Sequence, residues 1–197
     1  MATKIDFSIK IIYTLFVGCL IPVYWKQYGP VNFLWFSDIS MLLLVPALWL
    51  ESRVLFSAAA LSVVLFELLW NIDFFVRLFS GRNLIGLSSY MFDPTISLTV
   101  RALSLFHVWL PPLIIWYVYR LGYDSRGLAL QIPFAWVVLL ASYLFVKPSD
   151  NVNWVYGFGE KPQSRLPSLM FLFLLMLGFA VLVYLPSHLV LKKLFGD

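Results

Sequence analysis

The sequence predicts an all-α, polytopic integral membrane protein in which about six transmembrane helices form one bundle. Three observations predict this fold: an apolar composition, a succession of long apolar stretches, and aromatic residues at the ends of those stretches. Hydrophobic residues make up 61% of the 197-residue chain and charged residues only 12%, against roughly 25% charged residues in a typical soluble domain. So few charges cannot cover a water-facing surface, and lipid must therefore cover much of the protein.

The apolar stretches give the number and order of the helices. A transmembrane helix needs about 20 mostly apolar residues, and by that length a single domain of residues 1–197 contains six spans, with both termini on the same side. The predicted spans are Phe7–Tyr24, Asn32–Leu50, Val54–Trp70, Ser97–Leu121, Leu128–Val146 and Pro167–Lys192. Trp and Tyr prefer the headgroup level of a bilayer, and several stand at the span ends, among them Tyr24, Trp49, Trp70 and Trp154.

The connections between the predicted spans differ in length. The connections after the third and fifth spans are long, aromatic and amphipathic, and in a six-span bundle both fall on the same side. We expect them to lie in the membrane interface or to cover the mouth of the bundle. The first span is followed by bulky residues rather than by a small-residue cleavage site, so it is expected to remain uncleaved. Basic residues near the short connections favour a cytoplasmic side for both termini.

Charge and cysteine content exclude several classes of function. The net charge of +4 is small and scattered, which argues against nucleic acid as a partner and suits membrane lipids with anionic headgroups. The single cysteine, Cys19, excludes an internal disulfide and a cysteine-based metal cluster. Only two histidines are present, His107 and His188, and no ligand spacing surrounds them. The sequence therefore predicts no metal and no cofactor.

Ionisable residues inside or at the edge of the apolar spans are the strongest indication of function. An ionised side chain at bilayer depth costs roughly 2.5–3.5 kcal/mol. Such groups usually face the bundle interior or a watery cavity and pair with one another. The residues of this kind, which indicate a polar site within the membrane, are Asp38, Glu67, Arg101 and His107.

The second and third spans carry carboxylates beside other polar groups. Ser37 is a candidate nucleophile and Asp38 a candidate orienter of a base, or Asp38 pairs structurally with Arg101 or another cation. Glu67 and Asn71 lie four residues apart, on one helix face, with Asp73 near the helix end. They line a polar pocket, or they form a hydrogen-bond network that anchors the long following connection.

The fourth span carries the candidate general base. Arg101, Ser104 and His107 advance by threes and cover about a third of the helix circumference. Histidine titrates near neutrality and is the commonest general base, although a lone intramembrane histidine is often a hydrogen-bonded packing residue. Paired prolines follow in the sequence VWLPP and open the backbone ladder.

Two asparagines stand before the last span, and a second histidine lies near its end. Asn151 and Asn153 are candidates for binding a headgroup or positioning a substrate carbonyl, and they are also common turn residues. His188 precedes Lys192 and Lys193, a pattern typical of an ordinary histidine at a helix terminus.

Several segments together carry a resemblance that covers nearly the whole chain. They are YGPVNFLWFSDISMLLLVPALWLES, ELLWNIDFF, SYMFDP, RALSLFHVWLPPLIIWYVYRLGYD, NVNWVYGFGE and YLPSHLVLKKLF. In them the chain resembles a bacterial family of membrane-associated proteins. That resemblance implies the bacterial inner membrane and brings no established activity.

The order of polar residues along the spans is similar to that of a wider group. This group includes the androgen-induced family of intramembrane Thr/His lipid hydrolases and a related Cys/His transmembrane acyltransferase. The resemblance implies that His107 is the catalytic histidine and that the nucleophile lies between Trp35 and Asp38, where Ser37 is the only hydroxyl. The chain departs from the group because neither the Thr nor the Cys is present. Asp38 then implies hydrolysis by activated water, or no catalysis.

The leading hypothesis is an integral membrane enzyme, a hydrolase or acyltransferase, that acts on a lipid or acyl substrate. His107 is the general base, Ser37 the nucleophile and Asp38 the orienting or charge partner, following the usual logic of acyl transfer. Arg101 meets an anionic headgroup or an oxyanion, and the two long connections form a lid. The remaining substrate-binding candidates are Ser104, Glu67, Asn71, Asn151 and Asn153.

Two other functions fit the same residues. In a small-molecule or ion transporter or binder, the carboxylates and the histidine form an ion or proton relay, although no clear internal repeat of the kind common in transporters is present. In a non-catalytic subunit, the polar residues bind a membrane-protein partner or a second copy of the chain.

Overall fold

The computed structural model describes residues 5–159 and 162–196, and in them the chain is helical and contains no β-strand. Eight α-helices follow one another: α1 Phe7–Tyr28, α2 Phe36–Trp49, α3 Arg53–Ser80, α4 Leu98–Ser104, α5 Phe106–Leu121, α6 Arg126–Phe145, α7 Ser168–Gly178 and α8 Leu185–Phe195. Short 3-10 helices span Pro30–Leu34, Ser89–Phe92 and Val152–Trp154, and a π-helical turn spans Phe179–Tyr184. The predicted all-α class is confirmed.

Five helical stretches are long and apolar enough to cross a membrane. They are Phe7–Tyr28, Arg53–Ser80, Leu98–Leu121, Arg126–Phe145 and Ser168–Phe195. The third of these combines α4 and α5, and the fifth combines α7, the π-helical turn and α8. The second predicted span is an apolar helix of only 14 residues, Phe36–Trp49, preceded by a separate 3-10 helix. The count of about six helices therefore agrees with the sequence.

The third helix is longer than the sequence predicted. The prediction ended it at Trp70, whereas α3 continues to Ser80 and has 28 residues. The polar residues Asn71 and Asp73 were interpreted as a helix end, but both side chains find partners without interrupting the helix. The helix ends at Gly81, whose φ of +71° and backbone N–H bond to the Arg77 carbonyl make a glycine C-cap.

The bundle is built around α3, which packs against α2, α5 and α6. Its first half is rich in small residues, with Ser57, Ala58 and Ala59 fully buried, so neighbouring helices can approach closely. Fully buried larger side chains from the surrounding helices complete one core. Large apolar side chains on the outer surfaces, such as Ile12 and Leu182, are more than half exposed, as expected of helices that face lipid.

The two ends of the bundle differ, and we call them the terminal face and the loop face. On the terminal face, the Ile5 N–H donates to Glu51 at 3.2 Å, and the Tyr123 N–H donates to the Phe195 carbonyl at 2.7 Å. Both ends of the described chain therefore lie on this face, together with the connections between α2 and α3 and between α5 and α6. The long connections, residues 81–97 and 146–167, lie on the loop face with the 3-10 helix Pro30–Leu34.

Candidate functional site

A carboxylate and a histidine meet near the loop face, and we call Glu67 of α3 and His107 of α5 the dyad. His107 Nδ1 lies 2.9 Å from Oε1 and 2.8 Å from Oε2 of Glu67. The exposed fractions of the two side chains are 13% for His107 and 4% for Glu67. An ionised carboxylate only accepts hydrogen bonds, so Nδ1 carries the hydrogen and donates it. In the neutral ring, Nε2 is then the basic nitrogen.

Asn71 donates hydrogen bonds to the backbone carbonyls of both dyad residues. Pro111 has no N–H, so the carbonyl of His107 four residues earlier loses its usual helical partner. Asn71 Nδ2 donates to that carbonyl and to the Glu67 carbonyl, both at 2.7 Å. The amide therefore replaces the missing donor and joins α3 to α5 at the dyad.

Aromatic rings enclose the imidazole of His107. The Trp70 ring stacks on it with centroids 4.6 Å apart, and the Phe106 ring lies 4.1 Å away. These rings keep water from the faces of the imidazole, which strengthens its interaction with Glu67. The indole Nε1 of Trp70 is itself buried and has no hydrogen-bond partner among the described residues.

Asp38 is a second buried carboxylate near the dyad. It is 3% exposed, and its Oδ2 accepts a bond of 3.2 Å from Asn32. Its Oδ1 is buried and has no partner in the described part of the chain. The Asp38 and Glu67 carboxylates are close enough to interact electrostatically. The described residues form no ion pair with Asp38, so the alternative in which Asp38 pairs with Arg101 or another cation is not supported.

The orienter of the histidine differs from the expected one. The sequence analysis assigned that position to Asp38 and placed Glu67 among the substrate-binding residues, but the carboxylate in contact with His107 is Glu67. Ser37, the predicted nucleophile, is half-buried at the start of α2. No hydrogen bond joins Ser37 to His107 among the residues that the structure describes, so its catalytic role stays a prediction.

A chain of hydroxyl groups lies beside the dyad. Ser104 donates to the Val100 carbonyl at 2.9 Å, so the Tyr24 hydroxyl, 2.5 Å away, donates to Ser104. Burial of its hydroxyl raises the pKa of the nearby Tyr90, as do Tyr24 and the carboxylates Glu67 and Asp38. Through the bond from Tyr24, Ser104 connects α1 to α4.

Arg101 lies one turn before Ser104, at the border between bundle and lipid. Its Nη1 donates to the Met91 carbonyl at 3.3 Å, and this is its side-chain hydrogen bond within the described chain. Its Nε atom is buried without a partner. The charge of Arg101 reaches Asp93, but that carboxylate accepts two bonds from Thr95, which are the main reason that the pKa of Asp93 is lowered.

Asp73 anchors the connection that covers the dyad. The residue is fully buried, and its carboxylate accepts from the backbone N–H groups of Ile85, Gly86 and Ser88 at 2.7, 3.0 and 2.8 Å. The Ser88 hydroxyl adds a bond of 2.6 Å. For Asp73, the anchoring interpretation of the sequence is therefore confirmed.

The two predicted asparagines organise the second long connection. Asn153 accepts from the Phe36 N–H at 3.2 Å and donates to the Leu34 carbonyl at 2.7 Å, so it caps the start of α2. Asn151 donates to the Gly157 carbonyl at 2.7 Å. Both have positive φ, +54° and +39°, which asparagine tolerates well. Their turn-forming role is confirmed, and a substrate-binding role stays a prediction.

The other histidine lies far from the dyad. His188 Nδ1 is 2.7 Å from the hydroxyl of Tyr123, on the terminal face. Within residues 5–159 and 162–196, no group of three His, Cys, Asp or Glu side chains is arranged to hold a metal ion. Of the predicted site residues, Glu67, Asn71 and His107 are joined to one another by hydrogen bonds.

Three residues of the site were not predicted as functional. Tyr24 and Trp70 were interpreted as interfacial anchors at span ends, and Tyr90 was not singled out. Aromatic residues make up 18% of the chain, so the residue type alone carries little information. One available signal was the spacing of Trp70, which follows Glu67 by three residues and shares its helix face.

Together the fold and the site define a helical protein with apolar helices long enough to span a membrane and a buried carboxylate–histidine dyad. Comparisons of the chain with known protein families, with curated proteins and with solved structures found no match. The function must therefore be argued from the site itself.

Proposed function

We propose that the protein is an integral membrane enzyme, of the bacterial inner membrane, that acts on a lipid or acyl substrate. His107 is its general base, and Glu67 orients and stabilises that base. The observation that supports this proposal is the contact of Glu67 with His107 Nδ1 in an almost dry setting. A base held by a carboxylate is the arrangement that activates a hydroxyl or a water in acyl transfer.

In the proposed reaction, Nε2 of His107 removes the proton of the attacking hydroxyl. The attacking oxygen forms a bond to the acyl carbon, and the imidazolium that results is stabilised by Glu67. As the bond to the leaving oxygen breaks, His107 returns the proton to that oxygen. Where Ser37 is the nucleophile, a water deprotonated by His107 then attacks the acyl-serine, and His107 returns the proton to the Ser37 oxygen as the fatty acid leaves. Ser37 is the proposed nucleophile, and a water held by the free oxygen of Asp38 is the alternative.

A proton relay is the second candidate function. It is favoured by the unpartnered Oδ1 of Asp38 and by the closeness of this carboxylate to Glu67. Buried carboxylates and histidines often carry protons through membrane proteins. This function requires proton movement across the membrane without any change in lipid.

The test uses the purified protein in lipid nanodiscs with a serine-directed lipid fluorophosphonate and, separately, with diacyl lipids whose released fatty acid is measured. The variants are Ser37→Ala and His107→Ala, and His188→Ala is the matched control because His188 lies on the terminal face. We expect His107→Ala to lower turnover by about 10²–10⁴-fold and His188→Ala to leave it unchanged. Loss of labelling in both Ser37→Ala and His107→Ala would establish the serine nucleophile.

Other outcomes separate the alternatives. Turnover that requires His107 but survives Ser37→Ala would replace the serine with activated water. Absence of lipid turnover, together with pH-dye changes in proteoliposomes that require Asp38 and His107, would replace the enzyme with a proton relay. Equal turnover in the wild type, His107→Ala and His188→Ala would overturn the role of the dyad.

A further inference from the structure

We infer that Arg101 is the receptor for the oxyanion headgroup, phosphate or carboxylate, of an acyl-chain lipid that enters from the membrane side. This inference deepens the proposed function and rests on it for the position of the reacting bond near the dyad. The binding event itself is measurable without turnover, so the two proposals can fail separately.

The first argument is the unused hydrogen-bonding capacity of Arg101. A guanidinium has five N–H donors, and within the described chain the Arg101 side chain makes one hydrogen bond, to the Met91 carbonyl. Its Nε is buried and has no partner. Buried donors almost always have an acceptor, in the protein or in an ordered water, so an acceptor from outside the chain, a ligand or a water, would complete this site.

The positive charge of Arg101 also favours an anionic ligand. A cation that leaves water needs a counter-charge. The two dyad-side carboxylates do not serve Arg101, because Glu67 faces His107 and Asp38 accepts from Asn32. Asp93 feels the charge of Arg101, but within the described residues no ion pair joins the two, and Oδ1 of Asp93 accepts both bonds from Thr95. The planar fork of a guanidinium matches the two oxygens of a phosphate or carboxylate.

The third argument is the position of Arg101 on α4. This helix turns Val100 and Ser104 inward and exposes its other face, where Leu98 and Leu105 are 74% and 40% exposed. An apolar exposed face beside a half-buried cation fits a ligand with an acyl chain on one side and an anionic group on the other. Ser104, one turn along, leads directly toward His107.

A second buried donor lies nearby. Trp70 Nε1 has no partner, and Trp70 packs in one cluster with Met91, whose carbonyl accepts from Arg101. Both unsatisfied donors therefore flank the same short 3-10 helix, Ser89–Phe92. A ligand oxygen that accepted from Trp70 Nε1 would lie close to the dyad, because the Trp70 ring stacks on His107.

The experiment measures ligand binding by native mass spectrometry of the intact protein in a neutral detergent. The probes are a short-chain phosphatidic acid, oleate, a phosphatidylcholine with the same chains, and inorganic phosphate. The variants are Arg101→Gln, Arg101→Lys and, as the matched control, Arg77→Gln, which removes another arginine of the loop face that lies 4.7 Å from the Phe92 ring. His107→Ala serves as the catalytically impaired variant.

We expect the wild type to bind at least one of the two anionic amphiphiles more tightly than phosphatidylcholine, and Arg101→Gln to weaken that binding by about ten-fold or more. Arg101→Lys keeps the charge but not the fork and should bind at an intermediate level, while Arg77→Gln and His107→Ala should bind as the wild type does. If His107→Ala binds the lipid and the wild type shows no turnover, the proposed reaction is wrong but the role of Arg101 in binding still holds.

Three results would overturn the inference. The first is equal binding of anionic and zwitterionic amphiphiles by the wild type, and the second is unchanged binding in folded Arg101→Gln. If Arg101→Gln does not fold, wild-type affinity in Arg101→Lys overturns the specific role of the guanidinium fork. The third is tight, Arg101-dependent binding of inorganic phosphate with no gain from an acyl chain, which would replace the lipid by a free anion.

Discussion

Two ion pairs stand on the terminal face, whereas the surroundings of the dyad contain buried polar atoms that have no hydrogen-bond partner among the described residues. On the terminal face, Lys10 lies 2.7 Å from Glu51, and Arg126 lies 2.7 Å from Asp124. Near the loop face, the described residues include buried atoms of Asp38 and Trp70 with no hydrogen-bond partner. Paired surface charges complete a fold, but unpaired buried atoms require a ligand, a proton or water.

The same contrast separates the two histidines. His188 bonds to the hydroxyl of Tyr123 on the terminal face, away from any carboxylate in the described hydrogen bonds. His107 is held by a buried carboxylate between two aromatic rings. The difference shows that the surroundings, rather than the residue type, distinguish a candidate base from a packing histidine.

The largest expected effect is the loss of lipid turnover when the charge of Glu67 is removed. Glu67→Gln keeps the shape but removes the charge that stabilises an imidazolium, and we expect lipid turnover to fall by about 10³-fold or more. Glu51→Gln, on the terminal face, is the matched control and should leave turnover unchanged. Equal losses in the two variants, measured as fatty acid release in nanodiscs, would contradict the division between the faces.

The next effect concerns stability on the loop face. Asp73→Ala removes an acceptor that serves four donors, so we expect a loss of about 2–4 kcal/mol in the free energy of unfolding. Thermal unfolding in detergent and hydrogen exchange of the amides of residues 85–88 measure it. Asp124→Asn is the control on the terminal face. If Asp73→Ala unfolds no earlier than Asp124→Asn, the carboxylate does not anchor the connection.

A smaller effect on stability is expected from Asn71, whose side chain replaces the backbone donor that Pro111 lacks. Asn71→Ala leaves the carbonyl of His107 without its donor and should cost about 1–2 kcal/mol of unfolding free energy. In a Pro111→Ala background the new backbone N–H can reach that carbonyl, so the same substitution should cost less. A double-mutant cycle by chemical unfolding measures the coupling, and additive effects would show that the two donors do not compensate.

The smallest effect is a pH dependence on the terminal face. Hydrogen bonds from Arg126 lower the pKa of Asp124 from 3.8 to about 2. Because the folded pKa lies below the unfolded one, the stabilisation is present above about pH 4 and is lost as the pH falls from about 4 to about 2. We expect the difference in melting temperature between the wild type and Asp124→Asn to disappear over that window. A constant difference would show that Arg126 does not act through charge.

The helices were predictable because apolar length alone identifies a membrane-spanning segment. The five long helices follow from that rule, and the one substantial error, the end of α3, arose at Asn71 and Asp73. Polar residues at a helix end and polar residues with partners on a neighbouring element look the same in a sequence. The donors that allow Asp73 to remain within a helix are backbone groups 12 to 15 positions away.

The composition of the site was predictable, but its pairing was not. The sequence named His107, Glu67 and Asp38 as groups that must find partners within the bundle, and all three are buried or nearly so. Which carboxylate reaches the histidine depends on how α2 and α3 rotate about their axes, and no periodicity specifies that rotation. For this reason the sequence pointed to Asp38 as the carboxylate beside His107, whereas the structure has Glu67 there.

The short second helix has a consequence for the thickness of the surrounding membrane. Its 14 residues rise about 21 Å, against a hydrocarbon core of about 30 Å. The last turn of α2 lies beside Glu51 on the terminal face. The missing length is therefore at the loop-face end of the helix, where Asp38 lies two residues after its start.

A bilayer adjusts to such hydrophobic mismatch by thinning locally. The headgroup layer would then dip toward Asp38 and the dyad, so that a lipid meets the buried polar groups without leaving its leaflet. The five long helices can span a core of ordinary thickness, so such a dip would stay confined to the surroundings of α2.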